Sequence, residues 1–97
     1  MVDHELDELR REFLDEARGK VAEMQSALDG GPSDAAMERL AYLAHQLKGS
    51  GGSYGYQRIS DDAANLEKAI SDGKMDGNLS GLVASLAREI DRASAEL

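Results

Sequence analysis

His45, Lys48 and Gly49 are the residues whose types and spacing point most clearly to chemistry, within the stretch Ala44-His-Gln-Leu-Lys-Gly-Ser-Gly-Gly-Ser-Tyr-Gly55. Steps of three and four residues place all three near one another on a helix surface. An imidazole would then stand with an ammonium one turn away and a residue without a side chain beside it. That arrangement suits a histidine reached by a large partner and made to carry a negative group. Lys48 could neutralise phosphoryl oxygens on such a histidine through charge-assisted contacts. The remainder of the chain offers little other chemistry.

The elements that must position these residues are helices. Ala, Leu, Glu, Asp and Arg are abundant, there is a single proline, and no long alternating run suggests a strand. A first helix is expected from about Asp3 to Leu28, with Leu6, Leu9, Phe13, Ala17, Val21, Met24 and Leu28 on its apolar stripe. Asp29-Gly-Gly-Pro32 stops it, and Ser33 or Asp34 caps a second helix. Met37, Leu40, Leu43, Ala44 and Leu47 form the second stripe, and the helix is expected to run to about Ser53 despite Gly49, Gly51 and Gly52. A third helix covers about Gln57 to Asp72 with Ile59, Ala63, Leu66 and Ile70 inward. The segment from Gly73 to Asn78 breaks the pattern, and a fourth helix runs from about Leu79 to the end, burying Leu79, Leu82, Val83, Leu86, Ile90 and Ala93. Four amphipathic helices on short loops predict an all-α, antiparallel up-down-up-down four-helix bundle, with residues 1–97 as one domain.

On the second helix, at about 100° per residue, His45 falls roughly 140° from the centre of the apolar side chains, so it faces water. Its surface neighbours are Ala41, Lys48, Gly49 and Gly52. Glycine is costly on a solvated helix face, which suggests either close approach of a partner to the backbone or close packing by a neighbouring helix. The turn between the second and third helices centres near Gly55 and Tyr56. His45 and Glu67 lie about eleven residues either side of it, at the same level of the hairpin and roughly 16 Å from the turn. Glu67 stands about 70° from its own apolar stripe, within reach of the neighbouring helix. A carboxylate there can accept Nδ1–H of His45, fix the tautomer and leave Nε2 as the nucleophile.

These residues resemble the histidine-containing phosphotransfer (HPt) domain family of phosphorelays. The family pattern of His, two residues, Lys-Gly, small residues, an apolar or aromatic residue and Gly is matched in order by His45, Lys48, Gly49, Ser50, Tyr54 and Gly55, with Ile59 in the helix that follows. Leu66-Glu67 sits where the family places the residue that bonds the histidine. Gly51 departs from the usual serine or alanine, and Tyr56 from a small residue. Glu67 instead of glutamine, with Phe13-Leu-Asp-Glu-Ala17, looks like the phosphoacceptor domain of chemotaxis-type kinases. The resemblance implies that Nε2 of His45 takes a phosphoryl group from an aspartate of a response-regulator receiver domain and passes it to another receiver. Ala41, Gly49 and Gly52 would form the floor for docking. The partner would supply Mg²⁺, so this chain needs no cofactor and binds no metal. It would act as a carrier and not as an enzyme, with receivers and/or a histidine kinase as partners. The alternatives are the kinase phosphoacceptor domain and, in a different class, a scaffolding bundle whose histidine is incidental.

Composition sets the outer limits. Without cysteine there are no disulfides or thiolate metal sites, and nothing argues for an oxidising compartment. A net charge of −8 argues against nucleic acid and anionic membrane surfaces. No spanning segment or signal peptide is legible, so a cytoplasmic location is expected, and a closed bundle can be a monomer. Gly51-Gly-Ser53-Tyr-Gly55 matches a hydrolase nucleophile elbow, but it follows a helical pattern where the elbow needs a strand. No phosphate-cradling loop is present. His4 is read as a solvated residue at a frayed end, and three tyrosines are too few for a nucleic-acid stacking platform.

Overall fold

The computed structural model describes residues 4–31, 33–73 and 78–97. Four helices follow one another: α1 (His4–Asp29), α2 (Asp34–Ser53), α3 (Gln57–Ser71) and α4 (Asn78–Ala95). No strand occurs among the described residues. Asp3, the side chain of His4, Pro32 and the segment 74–77, on which some of the sequence reading fell, lie outside them.

The helix boundaries have local causes. Ser33 caps α2, its side-chain oxygen accepting from the backbone N–H of Ala36 at 3.1 Å. At the other end of α2, Gly55 takes φ of +84°, a left-handed conformation costly for any residue with a Cβ. The N–H of Gly55 bonds the carbonyl of Gly52 and that of Tyr56 bonds the carbonyl of Gly51, at 3.1 and 2.8 Å. This pair of bonds is the Schellman arrangement, which satisfies the last carbonyls and reverses the chain into α3.

Each helix packs against its sequence neighbours, and α1 closes the ring against α4. Short connections make successive helices antiparallel, giving a four-helix bundle 48 Å long and about 20 Å across. The core is wholly apolar among the described residues. Leu40, Leu43, Ala44 and Leu47 of α2 meet Ile59, Ala63, Leu66 and Ala69 of α3, with Leu14, Ala17 and Met24 of α1 and Leu79, Val83, Leu86 and Ile90 of α4. Full burial of each larger aliphatic side chain stabilises the fold by about 1.5–3 kcal/mol.

One inward assignment needs correction. Leu9, expected in the core, is 47% exposed, while Leu14 is buried. The buried positions Phe13, Leu14, Ala17, Val21 and Met24 define a stripe from which Leu9 lies roughly 90° away. On α3 the stripe is completed by Ala69, and Ile70 packs at its border.

Gly51 answers the question of the helical glycines in part. A Cβ there would lie 3.1 Å from the backbone nitrogen of Ser60, so with α3 this close any larger residue would press on its backbone. Gly49 is different: nothing stands within 4 Å of where its Cβ would be. At Gly52 a Cβ would meet only Ser60 Oγ at 3.7 Å, an ordinary contact. Packing thus accounts for Gly51 and leaves Gly49 and Gly52 as bare surface. Phe13 stacks on Tyr54 and Tyr56, with centroids 5.0 and 5.9 Å apart, fastening the α2–α3 turn to α1. Tyr56, which departs from the small residue of the family pattern, is thereby part of the packing.

Candidate functional site

α2 and α3 form the tightest hairpin of the bundle, and their outer edges hold the candidate site. Leu43, Ala44 and Leu47 are buried, which turns His45 and Lys48 outward. On α3, burial of Ala63 and Leu66 leaves Glu67 at the border facing α2.

Nδ1 of His45 lies 2.8 Å from Oε2 of Glu67. Lys48 Nζ donates to the other carboxylate oxygen, Oε1, at 3.3 Å. One carboxylate therefore holds both basic groups, one oxygen each. The His45 side chain is 71% exposed and that of Glu67 only 26%, so the ring stands in water while its support is recessed. Burial alone would raise the pKa of Glu67. The hydrogen bonds from His45 and Lys48 and their charges outweigh it, and the carboxyl is held below its ordinary value.

A carboxylate accepting at Nδ1 keeps the proton of a neutral imidazole on that nitrogen and leaves the lone pair on Nε2. The ring is then oriented, nucleophilic and reachable. A further bond, from Ser60 Oγ to the carbonyl of Lys48 at 2.8 Å, ties the backbone of α2 to α3 at the level of the site. Apolar periodicity gives no hint of Ser60. Its only sequence signal is a small polar residue entering α3 opposite the glycines.

Of the residues expected at the site, His45, Lys48 and Glu67 are brought into one hydrogen-bonded group. Gly49 and Gly52 are exposed on α2 beside them, and Ala41 is half-buried one turn toward the N-terminus. Among the described residues no group of three His, Cys, Asp or Glu side chains is arranged to hold a metal. No helix there is long and apolar enough to cross a membrane.

The family model for the Hpt domain matches residues 8–96. The chain belongs to the Hpt domain family. Comparison with curated proteins and with solved structures found no significant match. Hpt domains are histidine phosphotransfer modules of phosphorelay signalling, phosphocarriers more than classical enzymes, and they interact with receiver domains and kinases. The Hpt match runs from the second turn of α1 through α4, so the candidate group formed by His45, Lys48 and Glu67 lies well inside it.

Proposed function

We propose that this Hpt domain, as a single module of residues 1–97, carries a phosphoryl group on Nε2 of His45. The group comes from the aspartyl phosphate of a receiver domain and passes to an aspartate of another receiver. The observation that carries this reading is the 2.8 Å bond between Nδ1 of His45 and Glu67 on a ring that is itself 71% exposed.

The lone pair of Nε2 attacks phosphorus, the N–P bond forms, and the P–O bond to the aspartate breaks with the carboxylate leaving. The imidazole becomes a phosphorylated cation that retains its Nδ1 proton. Glu67 faces that proton and stabilises the charge as it develops, and the reverse transfer releases it. Lys48, one turn from His45, supplies an ammonium to the phosphoryl oxygens. Positioning and electrostatics dominate phosphoryl transfer, so a carrier needs little machinery beyond this. Mg²⁺ is assigned to the receiver. Gly49 and Gly52, with Ala41, give the receiver a face without projecting side chains.

A second reading, the phosphoacceptor domain of a chemotaxis-type kinase, is favoured by Glu67, a carboxylate where many stand-alone members carry glutamine. One experiment separates the two. The chain is incubated with a phosphorylated receiver or with an ATP-loaded kinase core. Acid-labile, alkali-stable label from the receiver, absent in His45→Gln, supports the first reading. Label from the kinase core alone supports the second. A chain that takes neither label is a scaffold.

A further inference from the structure

Three residues before His45, on the same side of α2, Tyr42 stands 53% exposed. Three large hydrophobic side chains are exposed among the described residues, and the other two, Leu9 and Leu97, lie on α1 and at the C-terminus. A lone exposed tyrosine would mean little. This one is held from two sides. Gln46 Nε2 donates to its hydroxyl at 2.8 Å, and the Arg39 guanidinium lies 5.3 Å from the ring centroid, within cation–π range. Arg39 is itself fixed by Glu23 of α1 through a bidentate pair, including Nη2 to Oε1 at 3.1 Å. The chain of contacts runs from α1 through Arg39 to the tyrosine ring.

We infer that Tyr42 is a preordered anchor for the receiver domain, seating its ring in a recess of the partner and donating its hydroxyl proton to an acceptor there. The inference rests on the reading of His45 as the phosphoryl carrier. The hydroxyl accepts from Gln46, so its own proton is left to donate outward. A ring already fixed on its own surface loses little conformational freedom on docking, and aromatic side chains of this kind dominate interface energetics. Tyr42 lies about 4.5 Å along the helix axis from His45 and roughly 60° around it, so a body covering one covers the other.

Charge selects the receiver as the occupant. The segment from Arg39 to Ser53 contains no Asp or Glu, in a chain with 19 acidic residues and a net charge of −8. An acidic phosphoacceptor pocket could approach this strip, whereas most of the remaining surface would repel it. Of the carboxylates that border the strip, Glu23 and Glu67 are each already engaged by a basic residue, and Glu38, one turn before Tyr42, stands exposed.

The test is transfer from a phosphorylated receiver with its concentration varied, for wild type, Tyr42→Ala, Tyr42→Phe and Glu23→Gln. Labelling by phosphoramidate, a small donor that needs no docking, runs alongside. Tyr42→Ala should raise KM for the receiver tenfold or more, with the maximal rate within twofold and phosphoramidate labelling and thermal midpoint unchanged. Tyr42→Phe should recover only part of the loss, since the ring remains but the hydroxyl donor and its bond from Gln46 are gone, and Glu23→Gln should raise KM slightly by loosening Arg39. A KM within twofold of wild type in Tyr42→Ala overturns the anchor. So does a loss confined to the maximal rate, a parallel loss of phosphoramidate labelling, or an effect seen only with a kinase core. A wild-type chain that no receiver labels overturns the carrier reading as well, which distinguishes the two failures.

Discussion

His45 and Glu67 are 22 residues apart in sequence and share one hydrogen bond of 2.8 Å across the α2–α3 hairpin. The bond joins an exposed ring to a recessed carboxylate. That pairing separates the two demands on a phosphoryl carrier: the acceptor atom must be open to a large partner, and the ring must not turn. Replacing Glu67 with alanine should slow transfer from a phosphorylated receiver by about 10- to 100-fold, the scale of a small misplacement of a reacting group. Glu67→Gln keeps an oxygen that can accept Nδ1–H but loses the charge, so its rate should fall between the two. Single-turnover kinetics at saturating receiver makes the comparison.

Lys48 donates to the same carboxylate at 3.3 Å and is about half exposed, so water screens its charge. Lys48→Ala should therefore slow transfer by only about tenfold, which is roughly 1.4 kcal/mol of barrier. Lys48→Arg should recover part of that. The fold should be unaffected, as a thermal melt will register.

The lowered pKa of Glu67 makes a linked prediction about acid. The unfolded chain has this carboxyl at its ordinary value, above the folded one, so on acidification the unfolded state takes up the proton first. The contribution to stability is fully present above the ordinary carboxylate range and disappears as pH falls through the folded pKa. Denaturant titrations of wild type and Glu67→Gln should differ at pH 7 and converge as pH falls through the folded pKa of Glu67. A difference that persists unchanged into acid contradicts the assignment.

The two glycines on either side of Ser50 should respond in opposite ways. Gly49 has open space where a Cβ would go, so Gly49→Ala should stabilise α2 by about 0.4–1 kcal/mol. At Gly51 the new Cβ meets the Ser60 backbone at 3.1 Å, and overpacking of about 1–3 kcal/mol should exceed that gain. Gly49→Trp should leave helicity intact and slow transfer from the receiver, because it fills the proposed docking floor. Unchanged kinetics in that variant removes Gly49 from the interface.

Much of this arrangement was legible in the sequence because it depends on helical periodicity. The apolar stripe of α2 fixes where its polar face points, so His45 is predicted to face water and is found exposed. The hairpin geometry then brings Glu67 level with it, since both helices rise by the same amount per residue. Leu9 is misassigned because its step of four residues to Phe13 fits a helical stripe, although it stands roughly 90° from the centre of the residues that are buried. Gly51, four residues after Leu47 and seven after Ala44, falls on the apolar stripe of α2, and Gly49 falls opposite it, so spacing alone separates the two. How closely Gly51 meets the backbone of α3 is a property of the packed hairpin that spacing does not give. Tyr42, Arg39 and Glu23 escaped for a similar reason: no periodic rule links a residue of α1 to an aromatic ring on α2.

The most direct test of the central claim is the position of the phosphoryl group after incubation with a phosphorylated receiver and Mg²⁺. Peptide mapping of the chain under alkaline conditions should place the label on His45, with His45→Gln remaining folded and unlabelled. Label that persists in His45→Gln, or that maps to another residue, contradicts the account.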